Sequence, residues 1–274
     1  MEGRYWRAEL ELWLENCDGK TRLMRRRHIG PLVVQRPFYP EVDGTAHVYL
    51  LHPPGGVVGG DSLEITCHLK TNARTLLTTP GATKFYRSTS GQGKQRTVIN
   101  VGAGAVCEFF PQETIMYDGA NACLETSVTL AATDATYVGW DFVSLGRPAA
   151  GERFMHGSAQ QRVEVLREGR PVWFERLSFQ GGSPLASASF AFGSRPITGT
   201  MVYVGPIAEN AAERLRADLG ESRVFSVSQL DQGVVCRYLG EDMSEGKSLF
   251  VRAWGVLREA GQGKQAVVPR IWAT

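Results

Sequence analysis

The stretch Arg7–Leu14, RAELELWL, decides the fold, because apolar residues occupy every second position between charged residues and a tryptophan. Successive side chains of a β-strand point to opposite faces, so this period of two predicts a strand with one buried face. Asp18-Gly19 follows and predicts a tight hairpin turn into a second strand at Thr21–Met24. The chain therefore opens with a β-hairpin.

The same period continues through the first 180 residues, with Gly, Pro, Asn and Asp between the alternating runs. Short strands at regular spacing with turn residues between them are typical of a large all-β body. Ten further strands are predicted, at Leu32–Gln35, His47–Leu51, Ser62–Leu69, Arg74–Thr79, Thr97–Val101, Val106–Phe110, Thr126–Ala131, Thr136–Val143, Gln161–Arg167 and Val172–Phe179.

The last quarter of the chain changes character. Glu209–Leu219 is rich in helix formers and Gly220 follows as a stop signal. A hairpin is predicted for 224–239, and Ser244–Ala260 reads as a second helix with Ser244 as its N-cap. The prediction is a mainly β protein with a C-terminal helix-strand-strand-helix part. No linker or fixed-period repeat occurs, so residues 1–274 are predicted to form a single domain.

The composition excludes several classes of protein. Of the 274 residues, 43% are hydrophobic and 21% are charged, as in folded globular chains. Thirty Lys and Arg against 28 Asp and Glu give a net charge of +2, which lacks the basic excess of a nucleic-acid-binding domain. No apolar run approaches a membrane span or a signal peptide, so we expect no membrane partner and a cytoplasmic location. The five cysteines show no C-x-x-C spacing, which argues against a disulfide framework or a zinc site.

The glycine-rich segment His52–Asp61, HPPGGVVGGD, carries four glycines in six residues. Such a run costs backbone entropy that an ordinary hairpin does not need. It predicts close backbone approach, positive φ angles or a surface shaped for a partner. Asp61 closes the segment, and Glu64 and His68 share one face of the strand that follows. All three are possible ligands for a divalent metal, although their spacing matches no recognised metal motif and Asp61 also fits a turn position.

Three other motifs have competing interpretations. Phe109–Gly119 combines aromatics, a proline, Glu113 and Asp118, and predicts either a corner of the β body or a polar strip beside an apolar anchor. Residues 245–248, EGKS, fail the spacing of a phosphate-binding loop, because five residues instead of four separate the two glycines. The basic run Arg25–His28 favours a solvated strand edge, with an acidic protein partner as the alternative.

Seven stretches spread over nearly the whole chain resemble the urease accessory protein UreD family, called UreH in some organisms. The long PPGG-x-VGGD and PGATKFYRS strings are the most specific of them. The stretches are GPLVVQRPFYPE (Gly30–Glu41), HVYLLHPPGGVVGGD (His47–Asp61), LLTTPGATKFYRS (Leu76–Ser88), FFPQETIMYDGA (Phe109–Ala120), LGRPAAGERF (Leu145–Phe154), RVEVLREGRPVWFERL (Arg162–Leu177) and PRIW (Pro269–Trp272).

The resemblance implies a scaffold for nickel insertion into apo-urease and not an enzyme. It implies binding to the helical protein UreF, which recruits the GTPase UreG, and two copies of the chain in the accessory complex. Nickel would be in transit, with no permanently bound cofactor. The resemblance also implies a two-layer body in which two sheets wrap in a right-handed, β-helix-like manner.

Within this resemblance, acidic side chains are predicted to line a transient nickel route, because weak oxygen ligands release a metal more readily than a closed cage. Asp61 and Glu175 lead this set, with a salt bridge to an arginine as the alternative role of Glu175. Glu113, Asp118, Glu64 and His68 complete the set. The predicted partner-binding residues are apolar and lie in or beside the matching motifs: Leu51, Val57, Val58, Phe85, Tyr86 and Ile115.

Two alternatives from other functional classes stay open at the level of sequence. A hydrolase would use the glycine-rich segment with His52 or Asp61, although no nucleophile–base pair is identifiable. A pure protein-interaction module would use the same loops without any role for a metal.

Overall fold

The computed structural model describes residues 5–273, and strands account for 49% of the chain against 14% for helices. The helices are α1 (Ala211–Leu219) and α2 (Met243–Gln262). The strands are β1 (Arg7–Cys17), β2 (Lys20–Ile29), β3 (Val33–Val34), β4 (Ala46–Leu51), β5 (Ser62–Leu69), β6 (Arg74–Thr78), β7 (Thr83–Phe85), β8 (Gly93–Val101), β9 (Val106–Phe110), β10 (Thr114–Met116), β11 (Asn121–Leu130), β12 (Thr136–Arg147), β13 (Glu152–Arg153), β14 (Ser158–Arg167), β15 (Arg170–Gln180), β16 (Ile197–Val204), β17 (Phe225–Leu230) and β18 (Gly233–Gly240).

The strands form two large sheets. The first sheet has the order β15-β14-β11-β8-β5-β1-β2, and the main path of the second is β17-β18-β16-β12-β9-β6-β4-β3. From β4 to β14 the longer strands alternate between the sheets, and each lies parallel to the previous strand of its own sheet. The mainly β prediction is confirmed, whereas the right-handed, β-helix-like wrapping stays a prediction.

The core lies between the sheets and follows from the alternation of residue types. In β1 the side chains of Leu10, Leu12 and Leu14 are at most 1% exposed, while Glu9 and Glu11 face outward. A second apolar cluster fills the space between the other face of the second sheet and the two helices. The period of two therefore identifies the buried face correctly.

The C-terminal part contains a helix, a hairpin and a second helix, so the order predicted for it is confirmed. The hairpin joins the second sheet through β16, a strand that was not predicted. The predicted N-cap Ser244 is wrong, because α2 begins one residue earlier and the Asp242 carboxylate accepts from the amides of Ser244 and Glu245. Among the described residues, neither α2 nor α1 is long and apolar enough to cross a membrane.

A buried ion network fixes α2 to the β body. The Arg258 guanidinium donates to both carboxylate oxygens of Glu41, at 2.9 and 2.7 Å, and its Nε lies 3.1 Å from Glu108 Oε1. The indole of Trp254 donates to Glu108 at 2.8 Å, and His47 Nε2 lies 2.8 Å from Glu41. Burial raises the pKa of Glu108. Because the charged groups are almost fully buried, removing one partner would leave another charge without compensation.

The basic run Arg25–His28 lies on β2, an edge strand of the first sheet, and its side chains are exposed. Arg27 pairs with Glu11 at 3.1 Å, and the Arg25 guanidinium lies 4.6 Å from the ring centre of Trp13. The predicted solvated edge is confirmed, and an acidic partner for it stays a prediction.

Candidate partner-binding surface and cation site

Five connecting segments stack side by side at one end of the first sheet; four of them lead into its strands, and the fifth follows β15. Backbone hydrogen bonds join neighbouring segments, from Gly60 to Gln92, Ser88 to Gly119, Gly119 to His156 and Gly181 to Gly157. We call this set of segments the glycine-rich edge: residues 55–61, 84–92, 117–120, 154–157 and 181–182. Motifs that lie far apart in the sequence therefore form one continuous surface.

Close packing against a neighbouring loop explains why the glycine-rich segment contains four glycines despite their cost in backbone entropy. A Cβ added at Gly56 would lie 2.1 Å from the ring of Tyr86, and one at Gly59 would lie 1.9 Å from Ser88 Oγ and 2.2 Å from the carbonyl oxygen of Ser90. Neither distance is compatible with a real side chain. The prediction of close backbone approach is confirmed, and the approach is to the PGATKFYRS segment.

Asp61 closes this segment from a buried position. Its carboxylate accepts hydrogen bonds from the backbone amides of Trp6 at 2.9 Å and Val58 at 3.0 Å. The carboxylate therefore ties the first residues before β1 to the loop. This arrangement suits the turn-closing role that the sequence also allowed, and a role for Asp61 on a nickel route stays a prediction.

Asp118 also lies on the glycine-rich edge, where it organises the segment that follows β13. Its Oδ1 accepts from the backbone amides of Met155 at 2.7 Å and His156 at 2.8 Å, and its Oδ2 lies 3.0 Å from His156 Nδ1. The hydrogen bond from His156 is the main reason why the pKa of Asp118 is lowered. The carboxylate is therefore held in its ionised form.

Glu175 lies apart from this edge, on β15, where the two sheets meet. Its carboxylate forms an ion pair with Arg237 of β18 at 3.3 Å, as the alternative interpretation of this residue predicted. It also faces Asp141 of β12, and burial together with the charge of Glu175 raises the pKa of Asp141 to about 7. Two carboxyl groups thus share one desolvated region.

A small polar cavity lies between the sheets at this point. Its lining includes Asp141 and Glu175 with Tyr137, Gln161 and Thr200, so carboxylate, amide and hydroxyl oxygens face the same space. The cavity leaves about 10 Å³ for the centre of a water molecule, which is room for roughly one water or ion. Oxygen donors of this kind bind divalent cations weakly and exchangeably. We call this place the inter-sheet carboxylate site.

The remaining predicted metal residues are dispersed. Glu113 forms an ion pair with Lys247 of α2 at 2.5 Å. Lys247 is the lysine of the EGKS stretch that fails the phosphate-loop spacing, and this ion pair gives it a structural role. Glu64 lies on the outer face of the first sheet, near Arg96, and His68 on the same face contacts Glu11. Across residues 5–273, no group of three or more His, Cys, Asp or Glu side chains is placed to hold a metal. The candidates thus do not form one cluster.

The predicted partner-binding residues divide by exposure. Val57 and Phe85 are 0% and 1% exposed, so the prediction that they contact a partner is corrected: they pair across the glycine-rich edge and face the core. Leu51 and Ile115 are half-buried. Val58 and Tyr86, in contrast, are 45% and 37% exposed, which leaves them accessible to a partner.

Sequence reasoning missed Asp141 and His156. Asp141 could have been found, since an acidic residue inside a strand with apolar neighbours on both sides is costly to bury without a purpose. His156 gives no such signal, because it lies in an irregular segment and meets Asp118 only through the fold.

Comparisons with known proteins agree over the full length of the chain. A family model described as UreD urease accessory protein matches residues 7–273. The chain is 58% identical over 271 residues to urease accessory protein UreD 2 of Brucella anthropi, covering 98% of each chain. It is 41% identical over 273 residues to urease accessory protein UreD of Azoarcus sp., covering 98% of this chain and 94% of the relative. A UreD protein of Klebsiella aerogenes is 40% identical over 270 residues, with 98% and 97% covered.

Proposed function

The chain belongs to the UreD urease accessory protein family, which implies a role in urease maturation, and we propose that it acts there as a cytosolic scaffold for nickel insertion. In this proposal the chain is not an enzyme. It bridges apo-urease to UreF and, through UreF, to the GTPase UreG, with two copies in the accessory complex. Nickel is cargo that passes along the chain and is not retained as a cofactor.

The glycine-rich edge supports the scaffold role. It is built from four of the sequence motifs by which the family is recognised, and hydrogen bonds between the segments hold it in one shape. Val58, Tyr86 and Met155 keep 45%, 37% and 51% of their surface exposed along it. A preformed surface with exposed apolar and aromatic side chains is what a docking site for another protein requires.

The inter-sheet carboxylate site is the observation that supports nickel transit. Asp141 and Glu175 bring two partly buried carboxyl groups into a space for about one water or ion between the sheets. Nickel binds strongly to sites with several His or Cys ligands, so a passage that must release it is better built from oxygen donors. Asp61, Asp118, Glu113, Glu64 and His68 stay further candidates for contact with the ion, and their dispersion suits sequential rather than joint contact.

The experiment compares urease maturation with variants that keep the shape of each side chain. Cells that lack the native gene are supplied with wild-type protein, Asp141→Asn, Glu175→Gln or the control Glu125→Gln, whose side chain is exposed on the outer sheet face. The nickel content of purified urease is measured at limiting nickel, together with co-purification of UreF, UreG and urease.

We expect the deletion strain to contain folded, nickel-poor urease. Asp141→Asn and Glu175→Gln should lower nickel content while the complex still assembles, and Glu125→Gln should behave as wild type. Normal nickel in the deletion strain would refute the proposed role. Normal nickel with both inter-sheet variants would favour a pure interaction module.

A further inference from the structure

A depression of about 370 Å³ lies within the glycine-rich edge, and the nickel route does not account for it. Its floor is backbone at Gly119 and Gly157, so it is open and shallow. The side chains that line it are all polar or basic: Arg87, Ser88, Thr89, Asn121 and His156. Carbon atoms of these residues form most of the exposed surface, and their polar groups offer hydrogen bonds to a ligand.

The charges of the depression favour a single negative group. Arg87 and His156 keep 72% and 77% of their side-chain surface exposed, so both basic groups reach solvent. The neighbouring acid, Asp118, already accepts two backbone amides and the His156 ring, and its Oδ2 is 3.7 Å from the Arg87 guanidinium. Arg87 therefore retains donors that Asp118 does not use.

Asn121 adds a second donor. Its side-chain oxygen accepts from Ser158 Oγ at 3.3 Å, which directs the amide nitrogen toward a different partner. A guanidinium and an amide facing one space match the two oxygens of a carboxylate. A divalent cation would find only the Asp118 carboxylate here, which already accepts two backbone amides and contacts His156. A phosphate dianion would carry more charge than Arg87, beside the ionised Asp118, can balance.

We propose that this depression receives an acidic side chain of a protein partner, with its carboxylate on Arg87 and Asn121 and its apolar flank against Tyr86 and Met155. The inference rests on the proposed scaffold function and identifies the place and chemistry of one contact. Arginine and tyrosine are enriched among the residues that dominate binding energy at protein interfaces.

Zero-length cross-linking tests the contact directly. The Arg87→Lys variant keeps the positive charge and places a primary amine in the depression. Complexes of this variant with purified apo-urease, and separately with purified UreF, are treated with a water-soluble carbodiimide, which joins an amine to a carboxylate in contact with it. The Arg96→Lys variant, at a 56% exposed position on the outer face of the first sheet, is the matched control.

We expect mass spectrometry to find an amide bond between position 87 and an Asp or Glu of one of the two partners. No amide bond should join position 96 to either partner. A cross-link only to Asp118 of the same chain would overturn the proposal, because the basic group would then be used within the chain. Absence of any cross-link from position 87 in an assembled complex would overturn it as well.

Affinity measurements with the same two partners give an independent test. Arg87→Gln should weaken binding about tenfold. Asn121→Asp should weaken it at least as much, because it keeps the acceptor for Ser158 and places a like charge against the incoming carboxylate. Arg96→Gln should stay within about twofold of wild type. If wild-type protein binds neither partner, the scaffold function itself fails; if wild type binds and Arg87→Gln and Asn121→Asp bind equally well, only this inference fails.

Discussion

Replacing Asp141 by asparagine should make the isolated protein more stable at neutral pH while impairing its function. The carboxyl lies in the inter-sheet carboxylate site, where burial and the charge of Glu175 raise its pKa from 3.8 to about 7. Within residues 5–273, the causes of this shift include no hydrogen bond that would favour the ionised carboxyl. Asparagine keeps the shape and removes the charge.

The size and pH dependence follow from the difference between the two pKa values. Below about pH 4 the carboxyl is protonated in both folded and unfolded chains, so it has no cost. Between about pH 4 and 7 the unfolded chain ionises first, and the folded state loses about 1.4 kcal/mol of stability per pH unit. Above pH 7 the loss is constant. Because the group keeps partial contact with solvent, we expect a total of about 2–4 kcal/mol.

Urea-induced unfolding, followed by tryptophan fluorescence, measures this effect. Asp141→Asn should raise the free energy of unfolding by about 2–4 kcal/mol at pH 8 and by much less at pH 5. Glu64→Gln, on the exposed outer face, should show no such trend. In a Glu175→Gln background the gain should shrink, because one cause of the raised pKa is removed. A gain that is absent, or that is equal at both pH values, would refute the reasoning.

Three further results are expected. The nickel affinity of the isolated protein should rise by up to about tenfold per pH unit below pH 7 and level off above it, because the ion and the proton compete for Asp141. Calorimetric titrations with nickel at pH 6, 7 and 8 measure this, and an affinity that does not change with pH would contradict it. Arg258→Leu should lower the free energy of unfolding by about 3–5 kcal/mol, since it leaves two buried carboxylates without their cation. Arg252→Leu, at the surface, should lower it far less. Equal urea midpoints for the two variants would disprove this. Gly59→Ala should lower the free energy of unfolding by about 1–3 kcal/mol and weaken partner binding, because the added Cβ would collide with the backbone at Ser90. Gly81→Ala is the control, because a Cβ there meets open space. Equal melting temperatures for the two variants would show that the loop accommodates the Cβ without loss of stability.

The alternation of residue types was enough to predict most of the β body. Ser62–Leu69 and Val106–Phe110 were predicted to the residue, because the first alternates, the second is apolar except for Glu108, and both are bounded by turn residues. β16 was missed since Ile197–Val204 contains glycine and threonine and gains its strand character from pairing with β12 and β18. The short strands β7 and β10 were missed for the same reason, because they exist through pairing with each other and with β12.

The candidate site was predictable only in part, because it depends on which loops become neighbours. The glycine-rich segment predicted a tightly packed surface, and that local inference holds at Gly56 and Gly59. The residue that packs against each side chain lies in a different loop, far away in the sequence. Val57 and Phe85 were therefore predicted to contact a partner protein, although they are buried against each other. Glu175 was found through the family resemblance, while its neighbour Asp141 required the register of two sheets.

The roles proposed for the inter-sheet carboxylate site and the glycine-rich edge have opposite physical requirements, which fits their separation in the fold. A docking surface gains from groups that are fixed and satisfied, as Asp118 and Asp61 are by backbone amides. A transit site gains from a carboxyl that is left unsatisfied, because its raised pKa allows a proton to replace a departing cation near neutral pH. We therefore expect mutations of the exposed edge residues Val58, Tyr86 and Met155 to change complex assembly. Mutations at Asp141 and Glu175 should instead change nickel content and leave assembly intact.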